Sequence, residues 1–303
     1  MRNLLTNLFT LALTVAGVVL LLTTPSHSQA PAKPFAPTRF TVVTEGPATA
    51  PAVLLLPGLT SGREVFDAEA KILAADHHLY RVQINGFAGQ PAGPNSSGAF
   101  LEPVVAELHQ YLVANHLHPA VIGHSLGGLF GLMLAQSHPE DVQKLLIVDS
   151  LPFYALVFDP HASVAAVMPQ AEAVRSGILA QTLEQAAAQS AQTASYLVKN
   201  ADAQKIVAAD SRTSDRTVMA NAMYEDLITD LRPGLGTIKT PTTLLYPFDA
   251  AAVGPDPAKI DAVYISAYSS MPSLTIHRID NSRHFIMFDQ PLAFDKEVRA
   301  FLN

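Results

Sequence analysis

Cysteine is absent from all 303 residues of the chain. Its absence excludes disulfide bonds, thiol catalysis, cysteine-based metal sites and lipoprotein anchoring through a cysteine. Charged residues are also scarce, at 15% of the sequence. The net charge of −7 comes without any run of Lys and Arg, so the attraction that drives binding to a phosphate backbone is missing. The composition therefore predicts that nucleic acid is not a partner.

The long uncharged apolar run of the chain lies at the N-terminus. Arg2 supplies a positive start, residues 8–22 are apolar, and the small, polar stretch that follows ends at Ala30. This three-part layout predicts a secretory signal peptide over residues 1–30 and an exported protein, periplasmic or secreted. No stable membrane insertion is expected after cleavage. The alternative is an uncleaved anchor, since the run approaches spanning length. The proline-punctuated residues 31–38 are predicted to be a linker.

From residue 39 onward, short β-branched or leucine-rich runs alternate with longer helical stretches. Apolar residues make up 49% of the sequence, which is ample for a buried core. The alternation predicts an α/β fold with a mostly parallel sheet, and the unbroken apolar runs predict helices on both faces. We predict the core in two parts, residues 39–150 and 240–303, with strands at Phe40–Thr44, Ala52–Leu56, Tyr80–Ile84, Ala120–Ile122, Leu145–Val148, Thr243–Tyr246 and Leu274–Ile279.

Between these two parts the strand signal disappears. Residues 151–239 are rich in Ala and Gln, with apolar residues at helical spacing such as Val174, Ile178 and Leu183. The pattern predicts a helical cap, or lid, inserted over the sheet. The alternative is a helical subdomain without a role at the site.

One short motif carries a specific chemistry. Gly123-His124-Ser125-Leu126-Gly127 fits G-x-S-x-G, and it directly follows a predicted strand and precedes a predicted helix. In that context the tight turn presents the serine hydroxyl above the end of the sheet. The motif therefore predicts Ser125 as a nucleophile.

The motif GHSLGG, residues 123–128, resembles the nucleophile elbow of the α/β-hydrolase family. Three further stretches resemble family motifs in the correct order: LPGLTSG at residues 56–62, GFAGQP at 86–91, and SRHF at 282–285 with DQP at 289–291. The resemblance covers nearly everything from residue 40 to residue 302. It implies the α/β-hydrolase fold and an acyl-transfer activity of the serine esterase or lipase kind.

A serine hydroxyl needs a base, and His284, on the turn after the last predicted strand, is the candidate. In the family the acid that orients this histidine follows either of two strands. Here these positions are Asp249 and Asp149, and the sequence analysis prefers Asp249. The histidines show no paired ligand spacing with carboxylates, so neither a metal nor another cofactor is predicted.

The resemblance also implies an oxyanion hole made by the backbone amides of Leu59 and Leu126. Phe153 and Tyr154 at the cap entrance, with Phe285 beyond the histidine, predict a mainly apolar substrate pocket, although core packing would explain them equally well. The sequence thus predicts a serine hydrolase that cleaves an ester or related acyl bond of a small molecule. An amidase or peptidase, a cofactor-free perhydrolase or lyase, and a catalytically idle binding module are the alternatives.

Overall fold

The computed structural model describes residues 35–303, and within them seven strands form a single sheet. The strands are β1 (Phe40–Glu45), β2 (Ala52–Leu56), β3 (His78–Ile84), β4 (Ala120–His124), β5 (Lys144–Val148), β6 (Thr242–Phe248) and β7 (Leu274–Asp280). Their spatial order is β1-β3-β2-β4-β5-β6-β7, with β1 antiparallel to β3 and every other neighbouring pair parallel. The mostly parallel sheet is confirmed. The predicted signal peptide over residues 1–30 lies outside the described residues, as does most of the linker.

Helices account for most of the remaining described chain. They are α1 (Asp67–Leu73), α2 (Leu101–Ala114), α3 (Leu126–Ser137), α4 (Val164–Ala180), α5 (Leu183–Leu197), α6 (Ala201–Thr213), α7 (Arg216–Ile228), α8 (Ala250–Val253), α9 (Pro257–Ala267), α10 (Ile286–Asp289) and α11 (Pro291–Leu302). Short 3-10 helices occur at Arg63–Phe66, Gly93–Ser96, Pro139–Asp141, Tyr154–Val157 and Arg232–Thr237. Within residues 35–303, no helix is both long and apolar enough to cross a lipid bilayer.

The sheet is covered by helices on both faces, and its strand β2 is apolar at every position. In β2, Leu54 and Leu56 belong to the core shared with α2 and α3, while Val53 and Leu55 belong to the core shared with α1 and α11. Successive strand residues point to opposite faces, so one short run serves two cores. Full burial of each leucine side chain contributes about 1.5–3 kcal/mol. The resulting three layers hold the strand ends, and the loops after them, in fixed positions.

Four helices, α4 to α7, lie between β5 and β6 and confirm the predicted cap insertion. In this cap α4 packs against α7, and α5 packs against α6. Each helix begins after a polar N-cap residue whose side chain accepts hydrogen bonds from backbone N–H groups of the first turn. Such a cap is worth about 1 kcal/mol. The N-cap residues are Ser163, Thr182, Asn200 and Asp215.

Candidate active site

Ser125 occupies the sharp turn between β4 and α3. Its backbone is at φ 53° and ψ −123°, a conformation that is costly for a residue with a side chain. The turn is held by the next strand, because the Ser125 N–H donates to the Val148 carbonyl at 2.9 Å. The hydroxyl-bearing side chain is therefore fixed at the carboxyl end of β4, at the lip of a cavity that it lines.

Two glycines make this turn possible. A Cβ at Gly123 would lie 2.2 Å from the carbonyl oxygen of Gly127, and a Cβ at Gly127 would lie 2.1 Å from the carbonyl oxygen of Leu56. Both are clashes with backbone, which a rotamer change cannot relieve. The helix after the serine can approach the sheet this closely only with glycine at these positions.

We therefore expect Gly127→Ala to lower the free energy of unfolding by about 2–3 kcal/mol or more. Gly177→Ala is the matched control, because Gly177 also lies in a helix and its added Cβ would meet no atom within 4 Å. That substitution should stabilise the protein by about 0.5–1 kcal/mol. Denaturant unfolding of both variants measures the difference. Equal stabilities would contradict the backbone clash.

His284 follows β7 and meets a carboxylate that follows β5. Its Nδ1 donates to Oδ2 of Asp149 at 2.6 Å, and the other oxygen of Asp149 accepts from the hydroxyl of Tyr264. Since a carboxylate can only accept here, the histidine proton is on Nδ1 and Nε2 is left with its lone pair. Ser125 and His284 line the same cavity, although no hydrogen bond joins their side chains in the described part of the chain. Such bonds often tighten only when substrate is bound.

The expectation that Asp249 would be the partner of His284 is corrected to Asp149. Oδ2 of Asp249 accepts from Nε of Arg283 at 2.8 Å, and its Oδ1 accepts from Nζ of Lys199 at 3.1 Å. Burial would raise the pKa of Asp249, but these hydrogen bonds outweigh it and hold the pKa below its ordinary value. Asp249 is thus an anion already neutralised by two cations.

The turn carrying His284 is also tied to the cap. Oδ1 of Asp289 accepts from the backbone N–H groups of Lys199 at 2.9 Å and of Asn200 at 3.0 Å, both in the loop between α5 and α6. Its Oδ2 accepts from the N–H of Arg283 at 2.9 Å. Together with the Asp249 ion pairs, these bonds join this half of the cap to the residue that precedes His284.

The side chain of His124 supports the turn that carries His284. It is fully buried, and its Nε2 donates to the backbone carbonyl of His284 at 3.1 Å. Burial, reinforced by the nearby His284, holds the pKa of His124 well below its ordinary value. His124 is therefore a neutral structural donor. No sequence pattern predicted this hydrogen bond.

Two backbone N–H groups near the serine have no hydrogen-bond acceptor within residues 35–303. They belong to Leu59 and Leu126, the positions predicted for the oxyanion hole. Gly58 brings the first of these loops close, since a Cβ at Gly58 would lie 3.0 Å from Cβ of Ser125. Unpaired donors beside a nucleophile are suited to a developing oxyanion.

The cavity above Ser125 has a volume of about 1130 Å³ and is partly covered by the cap. Tyr154 and Phe285 line it, as predicted from the sequence. Phe153 does not: it is fully buried beneath the guanidinium of Arg232, 4.8 Å from the ring centre. The prediction of Phe153 as a substrate-binding residue is therefore wrong, because its ring is used in packing.

The cap contributes lining residues that the sequence did not single out. Met219, Met223 and Asp226 of α7 line the cavity. The residues are spaced three or four apart on α7, which puts them on one helix face. That spacing is the signal from which they could have been found.

Within residues 35–303, one group of side chains has the spacing of a metal site. His109, His138 and Glu140 have potential ligand atoms within 4.8 Å of one another. The two imidazoles are stacked with their centres 3.7 Å apart, and Nδ1 of His109 is bonded to Asp141 at 2.7 Å. None of these residues lines the cavity, so the group is separate from the candidate active site.

A known protein family and several known proteins are similar to this chain. The model of the alpha/beta hydrolase family matches residues 53–297. RutD of Klebsiella pneumoniae, provisionally named a carbamate hydrolase, is 37% identical over 113 residues, which are 37% of this chain and 41% of RutD. RutD of Cronobacter sakazakii is 35% identical over 101 residues, 33% of this chain and 37% of that protein. The chain thus aligns with about two fifths of the length of these curated relatives.

Solved structures are similar over nearly the whole described chain. A hydrolase from Pseudomonas aeruginosa has a TM-score of 0.72 at 18% identity, covering 87% of this chain and 94% of its own. The enol-lactonase from Burkholderia xenovorans has a TM-score of 0.68, also at 18% identity, covering 87% of this chain and 96% of its own. At this identity the similarity is one of fold.

Proposed function

Because the chain belongs to the alpha/beta hydrolase family, we propose that it is a serine hydrolase that cleaves an ester or related acyl bond through an acyl-enzyme intermediate. The observation that carries the proposal is the geometry around one cavity. Ser125 is held on a strained elbow at its lip, and His284, bonded to Asp149 at 2.6 Å, lines the same space.

Acylation begins with attack of the Ser125 oxygen on the substrate carbonyl. Nε2 of His284 takes the hydroxyl proton, and the imidazolium that forms is stabilised by the Asp149 carboxylate. The same proton then passes to the leaving oxygen, the bond between it and the acyl carbon breaks, and Ser125 carries the acyl group. Asp149 keeps its charge throughout, because its role is to orient and stabilise the histidine.

The carbonyl oxygen becomes negative during this step. The backbone N–H groups of Leu59 and Leu126 point to no acceptor within residues 35–303, so they can donate to it without losing other bonds. Loss of one such donor typically costs about a hundredfold to a thousandfold in rate. Water activated by His284 then hydrolyses the acyl-enzyme, and the serine recovers its proton.

The cavity supports a small-molecule substrate enclosed by the cap. Apolar side chains dominate its wall on the α4 and α7 sides, which favours an acyl or alcohol part with a hydrocarbon stem. Relatives of the RutD type are named for carbamate hydrolysis, and a carbamate presents the same kind of carbonyl to the serine. Carbamates therefore belong in the substrate panel beside esters and amides.

A fluorophosphonate probe tests the proposal directly. We expect the Ser125 oxygen to bond to phosphorus with loss of fluoride, and peptide mass spectrometry to find the label on Ser125 alone. Protein unfolded in guanidinium before addition of the probe is the control, since only the folded site activates the serine. An unlabelled native protein would favour the idle binding module instead.

Turnover of matched substrates distinguishes an esterase from an amidase or peptidase and from a perhydrolase or lyase. Matched p-nitrophenyl esters, p-nitrophenyl carbamates and p-nitroanilides of the same acyl chain give kcat/KM for each bond type. We expect the ester to be cleaved fastest. A faster anilide would favour an amidase or peptidase, and labelling without any hydrolysis would favour a perhydrolase or lyase.

A further inference from the structure

The carboxylate of Asp226, on α7 of the cap, has different surroundings from that of its neighbour Glu225. Its carboxylate forms no hydrogen bond or ion pair with any residue among 35–303, and it lines the cavity. The carboxylate of the preceding Glu225 accepts two backbone N–H groups at 2.7 Å, those of Phe100 and Leu101. Asp215 caps its helix. The carboxylate of Asp226 remains available to a ligand.

The surroundings of Asp226 make an unpaired carboxylate costly. Burial raises its pKa to about 7, and only the nearby His284 acts in the opposite direction. The side chain of Asp226 is partly buried, and a charge that is partly removed from water without a partner destabilises the folded protein. A cation that entered the cavity would remove this cost and form a charge-assisted interaction with the partly buried carboxylate.

The other charged groups at the cavity are already occupied or lie elsewhere on its wall. Asp149 is bound to His284, and Asp249 is bound to Arg283. The remaining groups are two cap arginines, Arg212 and Arg216, of which Arg216 donates to a backbone carbonyl. Asp226 is therefore the acid that faces the cavity without a counter-charge in the described chain.

Aromatic and apolar side chains complete the surroundings. Tyr154 lies close enough to Asp226 for the carboxylate to help raise its pKa, after burial, and both Tyr154 and Tyr196 line the cavity. Aromatic rings attract cations through their faces. Met219 and Met223 on the same helix offer a surface to a hydrocarbon stem.

We propose that Asp226 binds a protonated amino group of the substrate, so that the enzyme acts on acyl compounds with a cationic amine at the end of a hydrocarbon stem. The inference rests on the proposed serine hydrolase function. It makes Asp226 a specificity-determining residue, which attracts the amine while Ser125 attacks the carbonyl.

Three p-nitrophenyl esters of matched length test the proposal: the 6-aminohexanoate, the heptanoate and the adipate. They end in a cation, a methyl group and an anion. We expect the wild-type kcat/KM for the aminohexanoate to exceed that for the heptanoate by about tenfold or more, as expected of a desolvated charge pair. In Asp226→Asn this ratio should fall by about tenfold or more.

Asp202→Asn is the matched control, because it makes the same charge change on the exposed surface of α6. The ratio should be the same in this variant as in the wild type. A wild-type preference for the heptanoate or the adipate would overturn the proposal, and so would an unchanged ratio in Asp226→Asn. Preference for the adipate would point to the arginines.

A binding measurement separates this inference from the proposed chemistry. Calorimetric titration with hexylammonium and with 1-hexanol needs no turnover. Tighter binding of hexylammonium to wild type, weakened about tenfold or more in Asp226→Asn, would support the amine site even if no ester were hydrolysed. Equal affinities in the two proteins would overturn it. Thermal melting checks folding, and Asp226→Asn should melt no lower than wild type at pH 8, because it removes a partly buried charge without a partner in the described chain.

Discussion

Replacing Ser125 by alanine should lower kcat for ester hydrolysis by at least about a thousandfold, because no covalent acyl-enzyme can form. KM should change little, since the hydroxyl contributes to the reaction and not to the walls of the cavity. Steady-state kinetics on a p-nitrophenyl ester measures both constants. Alanine keeps the Cβ and the backbone conformation of the elbow, so the melting temperature should be close to that of the wild type.

Ser137→Ala is the control for this experiment. Ser137 is the last residue of α3, at the other end of the helix from Ser125, and its hydroxyl donates to the Met133 carbonyl. Its replacement should leave kcat within about twofold, as surface substitutions normally do. Hydrolysis by Ser125→Ala within about tenfold of the wild type would exclude the serine mechanism.

Asp149→Asn should lower kcat by about 10³–10⁴-fold, because the amide can no longer hold His284 in the tautomer that leaves Nε2 free. Asparagine can instead donate its own proton to Nδ1, which would put the histidine proton on Nε2 and remove the base. The effect should fall on kcat with KM little changed. Pre-steady-state measurement of p-nitrophenol release checks that acylation is the step that slows.

Asp249→Asn is the matched substitution at the other candidate carboxylate. It weakens the bonds to Arg283 and Lys199, so it should lower the free energy of unfolding by about 1–3 kcal/mol. Its kcat should remain within about tenfold of the wild type, because Asp249 forms no hydrogen bond or ion pair with His284 in the described chain. The reverse pattern, with Asp249→Asn inactive and Asp149→Asn active, would return the acid to the later strand.

Much of the core could be predicted from the sequence, because its signals are local. All seven strands were predicted within a few residues. A short, continuous apolar run between turn residues is typical of a strand in a sheet that helices cover on both faces. The elbow was equally clear. A Cβ at Gly123 or Gly127 would clash with neighbouring backbone. The two glycines of the sequence motif are therefore the residues that the tight turn needs.

The partner of His284 could not be predicted in this way. Asp149 and Asp249 each follow a parallel strand and end near the same edge of the sheet, so local pattern cannot separate them. The choice depends on Lys199 and Arg283, which lie 50 positions before and 34 positions after Asp249 and neutralise it. Only the folded chain brings those charges together.

The cap shows a second reason why some residues of the candidate site could not be predicted from the sequence. Phe153 and Tyr154 are adjacent and both aromatic, yet only Tyr154 reaches the cavity, because Arg232 covers the ring of its neighbour. An acid such as Asp226 is indistinguishable in sequence from the solvated acids of other helices. Its role depends on what lies opposite it across the cavity.

Asp249 and Asp289 form hydrogen bonds across the boundary of the cap, and these bonds restrict which caps the core can accept. Lys199 and Asn200 come from the insertion, and Arg283 comes from the turn that carries the histidine. A foreign insertion grafted between β5 and β6 would remove the donors that the cap supplies to Asp249 and Asp289, and both acids would then depend on Arg283, next to the base. The cap is therefore not an interchangeable module, and a recombined hydrolase should keep the α5–α6 loop and residues 283–289 from the same parent.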